Sequence, residues 1–371
     1  MKKTITTLLL FAVCGMLFVG CRKKDEVTQE PTVTETPVPT ETGTPTPTPE
    51  EIVEAEVVQE EPIPEGMVKS YLSGEYVTAE VGRRRPVAVM INNVEAALPS
   101  AGISQADVFY EAPVEGALTR VMAIFENYDG LEKIGSVRSC RDYFLDYAMG
   151  FDAIYVHYGQ AAYALPYFEL PQINNISGLA YYGDQVFYRT NDRPSPHNAY
   201  TGAELIEEAI DICGYSQEYP EDYQPQFTFA WVGEEVYLEN GSDANLIRPG
   251  YMFNAPWFEY NEAEGVYYRY QYEEPHIDET TGEQLKVKNI IIQYTGWENY
   301  DENGYLNLYA GEGGACKFIT NGKVIDGTWK RLYEWGPEKY YDSEGNEITL
   351  NTGKTWICVV QDTYADDVQI S

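Results

Sequence analysis

Between Arg22 and Glu65 the chain is a Thr/Pro/Glu tract with eight prolines and no aromatic residue, which confines any packed fold to the residues beyond it. Proline fixes φ and donates no backbone hydrogen bond, and scattered Val and Ile cannot bury a core. Residues 21–65 are therefore expected to form an extended tether, rising about 3.1 Å per residue and reaching on the order of 100 Å. The 12 acidic residues against 3 basic ones in Arg22–Glu65 oppose its collapse. A glycosylated stalk has the same composition. Either way, all tertiary packing must come from residues 66–371.

Ahead of the tether, residues 1–20 read as an export signal. Lys2 and Lys3 form a charged start, and Thr4–Gly20 is apolar apart from hydroxyl and small residues. The run ends Leu17-Phe18-Val19-Gly20-Cys21, which resembles the lipobox of bacterial lipoproteins, with Phe18 where a smaller aliphatic residue is usual. The resemblance implies a diacylglyceryl-type lipid on Cys21 and a cell-membrane anchor on the extracytoplasmic face. A secretory cleavage elsewhere, or an uncleaved anchor, are the alternatives.

The whole chain carries 25 Lys+Arg against 59 Asp+Glu, a formal charge of −34. Phosphate backbones are bound by net basic faces, so a nucleic-acid partner is not expected. Neither is docking of the folded surface on anionic lipid. No Walker, Rossmann or G-x-S-x-G pattern occurs, so no cofactor is expected. No CxxC or Cys/His cluster has zinc spacing, so no metal is expected. His276 and Asp278 share a strand face as a metal pair would, though a surface hydrogen bond is the plainer use of them.

Residues 66–220 alternate strand and helix signals. Pro86–Ile91, Ala106–Tyr110, Leu118–Phe125 and Ala153–His157 are short apolar runs that suit buried strands. Helices are expected over Ser139–Gly150, opened by a capping-box-like Ser139 and Asp142, and over Thr201–Cys213, with Leu205, Ile206, Ala209 and Ile210 on one stripe. From residue 221 aromatics alternate with polar residues, as in Phe227–Trp231 and Val266–Tyr272. Asn240-Gly241, Asn303-Gly304 and Asn321-Gly322 signal hairpins. The fold class expected is α+β or α/β: a mixed-sheet domain over 66–220, then a mostly antiparallel β domain over 221–371. Cys316 and Cys358 lie in short β-like runs and are candidates for a disulfide between neighbouring strands, with free thiols as the alternative.

Several motifs occur in order: Arg85–Asn93, Ala106–Glu111, Val114–Arg120, Ile134–Tyr143, Tyr155–Gly159, Arg193–Asn198, Pro275–Asp278 and Thr355–Ile357. Together they resemble the YerB-like family of bacterial lipoproteins, defined by paired N- and C-terminal domains of unknown function. The resemblance implies the two-part layout and surface anchoring, and it carries over no catalytic residue. Ser136 and Cys140 stand where a proline and a small residue are expected, which speaks against Cys140 as a nucleophile.

The densest chemistry lies in Gly135–Asp142. Ser136, Arg138, Ser139 and Arg141 gather at an expected helix start, where free backbone N–H groups also point outward, and so form a candidate anion site. The competing reading pairs both arginines with Glu111, Glu115 or Asp142. His157, at a strand end, and His197, in a proline-framed loop, are candidate general acids or bases beside Glu111, Glu115 and Arg120. Asn92, Asn93, Arg193 and Asn198 are supporting candidates within the same motifs. The first functional reading is a lipid-anchored binding or accessory module for an anionic envelope ligand. An envelope hydrolase or transferase using Arg, His and Glu is the second, and a structural partner-binding lipoprotein the third.

Overall fold

The computed structural model describes residues 61–371, so the signal segment, Cys21 and nearly all of the tether lie outside the described residues. Three strands of the first half, β1 (Val87–Asn92), β2 (Val108–Pro113) and β3 (Thr119–Phe125), are buried at every position. A strand covered on both faces needs apolar residues on both, so these segments read as continuous runs rather than alternating ones.

They form the middle of an eleven-stranded sheet, which continues on one side through β4 (Ile154–His157) and β5 (Asn175–Ser177). On the other side it continues through β8 (Asn289–Thr295), β9 (Gly313–Thr320), β10 (Lys323–Arg331) and β11 (Glu338–Asp342), with β12 (Thr355–Gln361) joining the two halves. β12 lies between β8 and β2, parallel to both. The change of texture at residue 220 is thus not a seam: one sheet spans both halves, and the described residues form one compact unit.

Alternation sorts the side chains into two cores. Val89, Phe109, Ala123 and Trp356 face one way. They pack against α2 (Ala203–Cys213) and a second, six-stranded sheet that includes β6 (Trp257–Asn261) and β7 (Val266–Gln271). Met90, Tyr110, Met122 and Ile357 face the other way, against α1 (Asp142–Met149). α2 buries Ile206, Ala209 and Ile210 as its spacing predicts, and it stops at Gly214, whose φ of +70° lets its N–H reach the Ile210 carbonyl. The Asn321-Gly322 turn closes the β9–β10 hairpin with φ of +48° and +73°, the two positive angles of a type I′ turn. Asn240-Gly241 closes no hairpin; it leads into the edge strand Ser242–Asp243.

Two further expectations do not hold. α1 starts at Asp142 with Arg141 as its uncapped N-cap, not at Ser139. Residues before it stay extended because Tyr158 N–H donates to the Arg138 carbonyl, Cys140 N–H to Gly159, and the Ser139 hydroxyl to Tyr158. The Cys316–Cys358 bridge is also absent, since both are free thiols. β8 stands between their strands, with Cys316 opposite Gln293 and Cys358 opposite Ile292, and the two side chains enter opposite cores. Two strand spacings of about 4.8 Å each exceed the Cα separation that a disulfide bridges. Burial pushes the Cys316 thiol up to about 12 and Cys358 well above its ordinary value.

Candidate functional site

β1, β2, β4, β5, β8 and β12 all run the same way, so their carboxyl ends share one edge of the sheet. Open α/β sheets bind ligands in the crevice beyond such ends. Here that edge holds Asn92, the last residue of β1, opposite Arg120, the second residue of β3. The segment before α1 crosses the same edge: Asn92 N–H donates to the Ser136 carbonyl at 2.9 Å and Arg138 N–H to Met90 at 2.8 Å. Ser139 is drawn against Gly159, where φ is +88° and an added Cβ would lie 2.8 Å from the Ser139 hydroxyl. Only glycine fits that approach.

The result is a cluster of guanidinium groups. Arg120 is 7% exposed and donates from Nη1 to the Ser139 carbonyl at 2.5 Å. Arg138 donates to the Pro196 carbonyl at 3.2 Å, while its Nε is buried without a partner. Among the described residues neither has a carboxylate within salt-bridge distance. Burial, then the charges of Arg141 and Arg138, push the Arg120 guanidinium down to about 10. Burial, Arg141 and Arg189 act likewise on Arg138. Ser136 adds a fully buried hydroxyl with no partner.

Arg141 is different. Its Nε and Nη2 grip Glu115 at 2.5–3.0 Å, so the expected pairing with acids holds for this arginine. Glu111 takes no part in the cluster: it pairs with Arg269 of β7, at 2.8 Å on the opposite face of the sheet. Asn93 goes with it, donating to Glu111 at 3.0 Å and to Thr119 at 2.8 Å. Alternation requires this split, because Asn92 and Arg120 face α1 while Asn93 and Glu111 face the second sheet.

His197 does join the site. Asn92 Nδ2 lies 3.0 Å from its Nδ1. With the amide donating, Nδ1 is the acceptor and the proton sits on Nε2. Burial and the Arg138 charge hold its pKa below the ordinary histidine value. An Arg138→Gln variant is expected to move the His197 titration upward, by removing a like charge. Histidine NMR signals assigned with His197→Gln check this, and an unmoved curve would place the guanidinium away from the ring.

His157 is not brought together with the cluster's arginines: it is fully buried, stacked on Phe168, with its ring nitrogens 2.7 Å from the Gly159 carbonyl and 3.2 Å from Asn175 Oδ1. Arg193 ties the Ala97 carbonyl, Tyr200 and Glu279 together instead of facing an anion. Asn198 accepts from Arg189, the guanidinium that presses on Arg138. Sequence reasoning misses Arg189 because it lies in none of the motifs. His276 and Asp278 are not on the surface: His276 is buried against Arg269, and Asp278 accepts the N–H groups of Gly102, Ser104 and Thr280.

Beside the Arg141–Glu115 pair a cleft of about 260 Å³ opens between the two halves. Glu115 and Thr119 of the first half line it, with Tyr251, Trp297 and Gln361 of the second.

Comparison with known proteins finds two family models in order along the chain. The family model described as "Protein of unknown function (DUF3048) N-terminal domain" matches residues 72–216, and its C-terminal counterpart matches residues 247–357. A Bacillus subtilis (strain 168) protein named "Putative lipoprotein YerB" is 31% identical over 310 residues, covering 81% of this chain and 88% of its own. The crystal structure of YerB protein from Bacillus subtilis superposes with a TM-score of 0.72 at 30% identity, over 82% of this chain and 99% of that one. Two matched domains in order, and a relative alike in both sequence and fold, establish that this chain belongs to the DUF3048 family of YerB-like proteins.

Proposed function

We propose that this protein is a lipid-anchored component of the cell envelope whose folded part accepts an anionic ligand at Arg120 and Arg138. The anchoring rests on Cys21 after its apolar run and on the lipoprotein name of the YerB relative. The binding reading rests on one observation: in a chain of charge −34, the buried Arg120 guanidinium and the half-buried Arg138 guanidinium act on each other with no carboxylate within salt-bridge distance of either among the described residues. Leaving buried charges uncompensated costs several kcal/mol, and an incoming anion removes that cost.

The hydrolase or transferase reading has less support, because Glu111 is paired with Arg269 and both His157 nitrogens are occupied. The purely structural reading accounts for Arg141 with Glu115, but not for Arg138.

The test is thermal unfolding of the full chain in detergent, with inorganic phosphate replacing chloride at constant ionic strength. Phosphate at about 100 times its Kd is expected to stabilise by ~2.7 kcal/mol. The double variant Arg120→Gln/Arg138→Gln is expected to lose that response. An equal response in the variant would reduce phosphate to a general salt effect and remove the proposal.

A further inference from the structure

The cleft between the halves has a chemistry opposite to that of the arginine cluster. Among its lining residues there is no Lys, Arg or His, so nothing in it neutralises an anion. Of its carboxylates, Glu115 is already committed to Arg141, which leaves Asp367 at the rim without an ion-pair partner among the described residues.

The aromatic walls are held from behind. Tyr251 hydroxyl reaches the carbonyls of Glu111 and Val359 at 2.9 and 2.8 Å, and the Trp297 indole N–H donates to Thr363 at 2.9 Å. Their polar atoms being used within the fold, these rings offer the cleft apolar surface in a fixed orientation. Tyr364, 44% exposed, stands 6.2 Å from the Trp297 ring at a tilt of 31°. Asn299 and Gln361 supply amides that both donate and accept.

Apolar ring surface, with amide and carboxylate groups and no cation, suits a ligand with a flat C–H face and a rim of hydroxyls. We infer that this cleft is a subsite for an uncharged sugar ring, laid against the adjoining rings of Trp297 and Tyr364 and hydrogen-bonded by Asn299, Gln361 and Asp367. It is independent of the anion reading, because no guanidinium group lines the cleft. An organic cation would be drawn by Asp367 alone, whereas the amides have no role with it; a sugar uses all of these groups.

The test is saturation-transfer NMR on the full chain in a zwitterionic, sugar-free detergent. The probes are three uncharged trisaccharides, built from N-acetylglucosamine, β-linked glucose and α-linked glucose. At least one is expected to bind at millimolar concentration, with affinity falling about tenfold in Trp297→Ala and again in the exposed Tyr364→Ala. Arg120→Gln/Arg138→Gln is expected to leave it unchanged. No signal from any of the three overturns the inference, as does a signal that survives both aromatic substitutions. Tetramethylammonium binding in place of the sugars would overturn it in favour of a cation.

Discussion

Replacing Arg269 by methionine is expected to destabilise the protein by about 3–5 kcal/mol, the usual cost of stripping one partner from a buried ion pair. Arg269 and Glu111 are both fully buried, 2.8 Å apart, and they link the central sheet to the second sheet. The guanidinium also contacts His276 Nδ1 at 2.6 Å and lies 4.4 Å above the Trp356 ring. Glu111 would keep its bonds from Asn93, Thr119 and Asn254 but would lose its only buried counter-charge among the described residues. The double variant Glu111→Leu/Arg269→Met is therefore expected to be more stable than Arg269→Met alone, since it leaves no orphaned carboxylate. Denaturant unfolding of the three proteins measures this. A double variant less stable than the single one would show that the pair is not the source of the cost.

The second large effect depends on pH. Glu126 is almost wholly buried, and burial, opposed in part by Ser70 and by the Tyr71 backbone, pushes its carboxyl from 4.5 up to about 7. A carboxyl raised in the folded state favours the neutral form, so its contribution is present below pH 4.5 and is lost as pH rises to about 7. At about 1.4 kcal/mol per pH unit the loss is roughly 3 kcal/mol. Glu126→Gln keeps the neutral shape at every pH. It is expected to match the parent near pH 4.5 and to exceed it above pH 7.5, with Tm higher by roughly 5–10 °C. Melting curves across this range decide it; a Tm difference that does not change with pH would mean Glu126 does not titrate in this window.

Much of this fold was legible because burial leaves plain marks. β1, β2, β3 and β4 sit within two or three residues of the apolar runs expected for them, since strands covered on both faces must be apolar throughout. α2 was legible from its stripe of Leu205, Ile206, Ala209 and Ile210. Which distant segments become neighbours could not be read. The Cys316–Cys358 expectation failed because β8 inserts between their strands, a pairing that leaves no local signature. The expected pairing of arginines with acids held for Arg141 with Glu115 but not for Glu111, for a related reason. Glu111 lies opposite Val121, not Arg120, so strand alternation sends Glu111 and Arg120 to opposite faces. That register becomes visible only once the strands are aligned.

The placement of β12 bears on how the molecule is made. Its pairing with β2 joins residues about 250 positions apart in the chain, at the centre of the main sheet. Chains emerge from the ribosome N-terminus first, so β2 waits with one bare edge until nearly the whole polypeptide has been synthesised. A nascent chain in that condition offers an unpaired strand to any neighbour. Products cut short before Thr355 would lack the closing strand and be natural targets for chaperones and proteases.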